Sequence, residues 1–524
     1  MSKQPRGLNF WMVLALCVGN MVGSGIYLLP ATLAPLGTNQ LIGWMVTIAG
    51  ATCLAASFAR MGARLPYSGG PYAYAQAAFG PFAGFATAWS YWVMLWAGNG
   101  AIAVAVVSNL SLVMPWISKT PGLPAILAVA CVWGMTLLNI RGVRAAGAFS
   151  VVTTALKLLP LVLLIGLALW FAANAAPRVA PAAVSIAPGA IAAAAGLTFW
   201  GFLGLESATV PAGKVENAAR VVPLATIIGV LLTGAVYFGI SVAFWAYMPA
   251  SEAAASPAPV ADFLGRTFGG NMASVVAVFA AISAFGTLNG FILLQGEMPQ
   301  AMARGGVFPQ WFAGDGARGT PVRAHVVSSL LLSAVTLLNY GRGMGDLFAF
   351  IASVSLAAGM LAYFMSMMAA IRLLPEERGL ILLALGGAAF IGWATWGLGA
   401  SAVGYGAGLV LAGVPVYLAV RRGQAAVKEQ PIYVEANVSS LVADIINDLT
   451  SPPTDAERKA GWNRERKAKW LHWFEELQEN LKNDQPTPPG WGILRAMNFE
   501  GVDPSELASK ASRIGQMLDA RKQE

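Results

Sequence analysis

The sequence predicts an all-α polytopic membrane protein with twelve transmembrane helices and a small helical C-terminal tail. Three observations predict it. The 524-residue chain is 57% hydrophobic and only 11% charged, with a mean hydropathy of +0.62, whereas soluble domains carry about 25% charged residues. Its apolar residues gather into runs of about 20, the length that crosses hydrocarbon. Two of those runs are interrupted by glycine at mid-depth, five runs apart.

The spans fall near 8–35, 41–64, 82–113, 122–140, 146–172, 188–212, 221–248, 272–299, 324–340, 346–371, 379–398 and 400–420. Lys3 and Arg6 precede a first apolar segment too long for a signal-peptide core, so no cleavable signal is expected. Span 1 contains "GNMVGSGIYLLP", with Asn20 ahead of Gly23, Ser24 and Gly25. Glycine lowers helix stability, and small polar residues compete for backbone hydrogen bonds. Two readings of this stretch stand: close helix packing through small residues, or an unwound segment whose freed N–H and C=O groups bind a solute.

Span 6 decides between them. It reads "GLTFWGFLGLESATVPAG", interrupted by Gly201, Gly204, Glu206, Ser207 and Pro211. An odd offset of five spans inserts a second copy upside down. Paired interruptions at matching places then point to a 5+5 inverted repeat, residues 8–172 and 188–371, with discontinuous helices 1 and 6 around a central site.

Charge sets the orientation. Residues 1–422 carry 20 Lys/Arg against 9 Asp/Glu, a net of +11, while residues 423–524 carry 13 against 16, a net of −3. In residues 1–422 most cations fall in loops on the N-terminal side, with Lys119, Arg178, Arg266 and Arg342 on the other. Positive loops stay inside, so both termini are expected in the cytoplasm. The sequence pI near 9.4 thus reflects membrane topology and gives no argument for nucleic acid. Cys17, Cys53 and Cys131 all lie in apolar spans and read as packing residues. Two histidines, His325 and His472, cannot form a His-rich metal site, and no HExxH or CxxC pattern is present. No metal is expected.

A boundary falls near residue 423, separating a membrane domain (1–422) from the tail (423–524). In the tail, Pro452 and Pro453 precede a charged helical stretch with Asp455 as N-cap. "QPTPPGWG" breaks the chain before a second helix. Trp462, Trp470, Trp473 and Phe474 could form a small core or a docking face, and the simpler reading is a minor cytosolic appendage.

The stretches "GNMVGSGIYLLPATLAPLG", "SGGPYAYAQAAFGPFAGF", "YWVMLWAGN" and "FWGFLGLESATVPAG" resemble the amino acid–polyamine–organocation transporter superfamily. The basic amino acid/polyamine antiporter branch, especially the arginine/agmatine antiporters, is most similar. The resemblance covers about residues 8–422 and leaves the tail out. It implies that Gly23, Ser24 and Gly25 bind a substrate carboxylate, which suits N–H groups at a half-helix start. It implies that carbonyls near Trp200 take the α-ammonium and that Trp200 covers the substrate. Asn99 matches a guanidinium-contacting asparagine, and Tyr91 a gating tyrosine. Ser355 matches a substrate-side position and Tyr363 a cytoplasmic gate, while Asn20 and Leu203 fall on pocket positions. No cofactor is implied. The expected partners are an amino acid or amine, protons and the lipid bilayer, with a homodimer left open. The expected location is the bacterial inner membrane.

Two positions depart from the antiporters. Where they stack a tryptophan on the guanidinium, this chain has Phe291, a weaker cation–π face, which leaves smaller or less charged amino acids open. Span 5 carries Lys157 in "VVTTALKLLPLVLLIG". It resembles the span-5 lysine of proton-coupled superfamily members, and an intramembrane lysine needs a partner or a role. The simpler reading of Lys157 is snorkelling to the nearby cytoplasmic edge. Glu206, the acid of broken span 6, is a candidate proton-coupling group.

A secondary active transporter working by alternating access, most simply an amino acid/amine antiporter, is the leading function. A proton-coupled symporter using Lys157 is the alternative. A membrane enzyme would need a cluster of His, Asp and Glu at one depth, and a channel a repeated selectivity ring. Neither pattern is present. A sensor signalling through the tail is the remaining class.

Overall fold

A computed structural model describes residues 10–23, 25–64, 70–141, 159–179, 184–206, 218–304, 306–314, 320–339, 341 and 343–424. Ser24, Lys157, Ser207, Pro211 and the tail helices lie outside the described residues. The chain divides into two units, Met1–Val427 and Lys428–Glu524, and the described residues all belong to the first.

Span 1 is two helices. Helix α1 (Phe10–Met21) ends at a bend through Val22 and Gly23, and α2 (Gly25–Leu33) begins afresh. Then follow α3 (Asn39–Arg64), the short α4 (Pro71–Phe79), α5 (Pro81–Val113), the single turn α6 (Trp116–Lys119), α7 (Leu123–Ile140) and α8 (Leu159–Ala173). Span 6 starts as α9 (Pro188–Phe199), tightens into a 3₁₀ turn over Trp200–Phe202, and leaves helical geometry at Leu203–Glu206. Gly204 there has φ +96°, a left-handed conformation that a side chain would resist. After it come α10 (Ala218–Tyr247), α11 (Ala250–Ala255), α12 (Pro259–Phe268), α13 (Gly270–Arg304), α14 (Val322–Leu338), α15 (Met344–Leu373), α16 (Arg378–Gly397), α17 (Ala400–Leu411) and α18 (Gly413–Gln424). Proline opens α4, α5, α9 and α12, where its missing N–H costs nothing.

Among the described residues, eight helical stretches are long and apolar enough to cross a bilayer, with four shorter apolar helices beside them. Both expected interruptions are present, in span 1 at Val22 and Gly23 and in span 6 from Trp200 onward.

The packing carries the repeat. Helix α1 packs on α10, and α9, five spans later, packs on α3. Helices α3 and α10, α5 and α13, and α7 and α14 pack on each other. The α5–α7 contact recurs as α13–α14, and α7–α13 as α14–α5. For these pairs, exchanging each span for the one five positions away returns a contact that is also present. Helix α5 sits at the centre, buried along nearly its whole length. Leu169, Leu338, Leu382 and Leu411 on the outer helices are exposed, as a hydrocarbon-facing surface requires.

Glycine sets how closely the layers approach. A Cβ on Gly397 would lie 1.9 Å from the Ala192 carbonyl oxygen of α9, a backbone atom that cannot yield, whereas one on Gly392 would meet nothing within 4 Å. Gly397→Ala should therefore destabilise the α9–α16 contact by about 1–3 kcal/mol. Gly392→Ala on the same helix should be neutral or slightly stabilising. Thermal unfolding of the two purified variants in one detergent checks the contrast.

Candidate functional site

The two interruptions meet. Where α1 stops, its last carbonyls lose their helical partners. One of them, Met21 O, accepts a hydrogen bond from Tyr237 Oη at 2.8 Å. Tyr237 comes from α10 and is held edge-on by Trp44 (5.4 Å between centroids) and Phe202 (6.1 Å). A Cβ on Gly201 would sit 2.5 Å from the Tyr237 ring. Glycine at 201 is thus what lets the tyrosine pass the broken span 6 and reach the broken span 1.

Trp200 is buried between α2 and α5. A Cβ on Gly25 would lie 2.5 Å from its Cδ1, and one on Gly98 would lie 3.1 Å from its Cη2. Phe348 of α15 meets it edge-on at 6.1 Å. Ser355 Oγ donates to Met94 O at 2.7 Å, tying α15 to α5 beside the tryptophan.

A cavity lies at this junction. Asn20, Gly23, Gly25, Trp200, Leu203 and Phe291, all singled out in the sequence, line it together with Met94, Leu95, Gly98, Ile102 and Thr287. No charged side chain is among its lining residues. Its volume is about 20 Å³, room for about one water, so an amino acid does not fit in this conformation. Gly25 is the first residue of α2, and the N–H groups of a helix start attract an anion.

Tyr91, Asn99 and Ser355 stand behind the cavity wall. Tyr91 Oη donates to Glu206 Oε1 at 2.6 Å, and Tyr363 Oη donates to Glu206 Oε2 at 3.1 Å. All three are buried, so α5, the span 6 break and α15 converge on one carboxyl group. Asn99 Nδ2 donates to Gln295 Oε1 at 2.8 Å. Sequence reasoning did not single out Met94, Leu95, Gly98, Ile102, Thr287 or Gln295. Their signal is helical spacing: 95, 98 and 102 share a face of α5, and Thr287, Phe291 and Gln295 recur every four residues along α13.

Residues 8–434 match the family described as Amino acid permease. The chain belongs to that family. It is 34% identical over 379 residues to the cadaverine/lysine antiporter of Escherichia coli (strain K12), covering 71% of this chain and 84% of the relative. It is 30% identical to a putative arginine/ornithine antiporter of Bacillus subtilis (strain 168), covering 70% and 84%. It is 28% identical to the putrescine transporter PotE of Haemophilus influenzae, covering 80% and 98%. This permease is an integral membrane transporter, not an enzyme.

Bulk at Gly25 would collide with Trp200 and block the helix start. Gly25→Val is expected to abolish substrate binding in calorimetry while the protein stays monodisperse. The carboxyl cluster gives a second expectation. Tyr91→Phe and Tyr363→Phe each remove one hydrogen bond to a buried acid, worth about 1.5–3 kcal/mol if charged. The shorter bond makes Tyr91→Phe the costlier change, read as the larger drop in unfolding midpoint.

Proposed function

We propose that this permease is an antiporter exchanging a cationic amino acid for a related amine by alternating access. The observation that carries the reading is the junction of the two helix breaks at a cavity walled by Trp200 and Phe291 without a charged side chain. Such a site offers N–H groups at α2 to a carboxylate, backbone carbonyls at the end of α1 and at the span 6 turn to an ammonium, and aromatic faces to a second cation. Met94, Leu95 and Ile102 suit the methylene chain between the two cationic ends. The names of the relatives, which pair lysine with cadaverine and arginine with ornithine, point the same way. An aliphatic ammonium suits the narrow aliphatic wall and Phe291 better than a guanidinium, which stacks best on tryptophan.

A diamine has no carboxylate for α2, so it binds through its ammonium ends alone. Lysine carries one net positive charge and its diamine two, so each one-for-one cycle moves one net charge. We place both termini in the cytoplasm, on the excess of cations in the loops of that side. The tyrosine-held Glu206 is the group we assign to the closure between cycles.

Proteoliposomes test this. Uptake of labelled lysine should require internal lysine or cadaverine, and an imposed membrane potential should alter lysine/cadaverine exchange but not lysine/lysine exchange. Equal uptake into loaded and empty vesicles would refute exchange. Phe291→Trp should shift preference toward arginine by about 0.5–2 kcal/mol, read from competition by arginine against lysine.

A further inference from the structure

We propose that Gln295 is a positioning residue for charge selection: it turns the Asn99 side-chain oxygen toward the substrate space, so that the site favours a side chain ending in a cation. The inference rests on the proposed exchange function, in which the substrate carries such a cation.

A buried chain of hydrogen bonds carries it. Gln295 Nε2 of α13 donates to Ser329 Oγ of α14 at 3.1 Å. Ser329 Oγ in turn lies 2.7 Å from Thr136 Oγ1 of α7. With its amide nitrogen committed there, Gln295 has its oxygen left for α5, and that oxygen accepts from Asn99 Nδ2 at 2.8 Å. An amide has one oxygen and one nitrogen. Asn99 spends its nitrogen on Gln295, and its Oδ1 is left with no hydrogen-bond partner among the described residues. Asn99, Gln295, Ser329 and Thr136 are all fully buried.

A buried acceptor without a donor is costly, and a bound donor from a ligand is one way such a group is satisfied. The place fits. Asn99 is flanked by Gly98 and Ile102 in the cavity wall, and Gln295 lies one turn beyond Phe291. The Trp200 ring rests against Gly98, so in the proposed cycle a swing of that ring opens space beside Asn99. An ammonium brings donors and no acceptor. A neutral aliphatic end would leave Oδ1 orphaned, and a site built to hydrogen-bond a group discriminates strongly against analogues lacking it. The Gln295 turn is itself braced: its carbonyl accepts from Trp92 Nε1 at 3.2 Å and from Ser328 Oγ at 3.2 Å. The helices that set Asn99 are thus α13, α14 and α7, none of them a broken span.

The test is a double-mutant cycle in proteoliposomes with the full chain. Lysine and norleucine, which has the same chain length without the ammonium, compete against labelled lysine exchange on wild type, Asn99→Ala, Gln295→Leu and the double variant. Wild type should prefer lysine, and Gln295→Leu should lose that preference by about tenfold, the scale of one hydrogen bond to a charged group. Norleucine affinity should stay within about twofold, a change near the noise of one weak contact. Adding Gln295→Leu to Asn99→Ala should cause no further loss, because Gln295 acts through Asn99. An unchanged lysine-to-norleucine ratio in Gln295→Leu, or the same loss with Asn99 absent, overturns the proposal. If Gln295→Leu is not monodisperse, Ser329→Ala frees the Gln295 nitrogen and should lower the ratio in the same direction, and an unchanged ratio there overturns it equally. A wild type without any lysine preference overturns the exchange reading and this inference together. A wild-type preference with an additive cycle overturns the role of Gln295 alone.

Discussion

Hydrocarbon does not hydrogen-bond, so a backbone group left unpaired within a membrane must be buried in protein. That constraint shapes the molecule. Two helices stop at mid-depth, and each stop frees backbone groups. The protein surrounds both with buried aromatic residues: Trp44, Phe199, Phe202, Tyr237 and Tyr363 are fully buried. Tyr237 supplies one missing donor directly, to Met21 O. Glycines at 25 and 201 let aromatic rings close onto the breaks. Shielding the breaks and building a solute site are therefore one problem with one solution. The polar groups that hydrocarbon forbids at the surface are the ones the proposed site uses in the interior.

Helix α5 links the parts of this solution. Tyr91 reaches Glu206, Met94 accepts from Ser355, Leu95 and Gly98 wall the cavity, and Asn99 meets Gln295. These residues span eight steps of helix, about 12 Å at the usual rise. A rigid helix of that length fixes the acid–tyrosine cluster against the candidate site. Its contacts are tight: a Cβ on Gly359 of α15 would lie 2.2 Å from Met94 Sδ, and one on Gly100 would lie 2.7 Å from Leu332 Cδ1. Packed surfaces of this kind have discrete arrangements and do not deform smoothly. Such a scaffold suits the proposed alternating access, in which the broken spans and the Trp200 ring move against it.

Much of this was legible in the chain. Composition and run length dictate a helical membrane protein, because an apolar run of about 20 residues is what one helix needs to cross hydrocarbon. Gly23 to Gly25 and Gly201 to Glu206 mark the interruptions, because glycine and small polar residues are what a broken helix needs. Their five-span offset anticipated the paired contacts of α1 with α10 and α9 with α3. Six positions expected at the site, Asn20, Gly23, Gly25, Trp200, Leu203 and Phe291, line one cavity.

Partnership across the fold was not legible. Tyr91 and Glu206 are separated by 115 residues, Asn99 and Gln295 by 196, and Gln295 and Thr136 meet through Ser329. Nothing local distinguishes Gln295 from any other polar residue in an apolar span. Hydropathy and spacing are properties of one segment, and they determined the elements, their breaks and the faces they offer. Which side chain completes another's hydrogen bonds depends on how helices far apart in the chain come to lie side by side, and only the tertiary structure decided that.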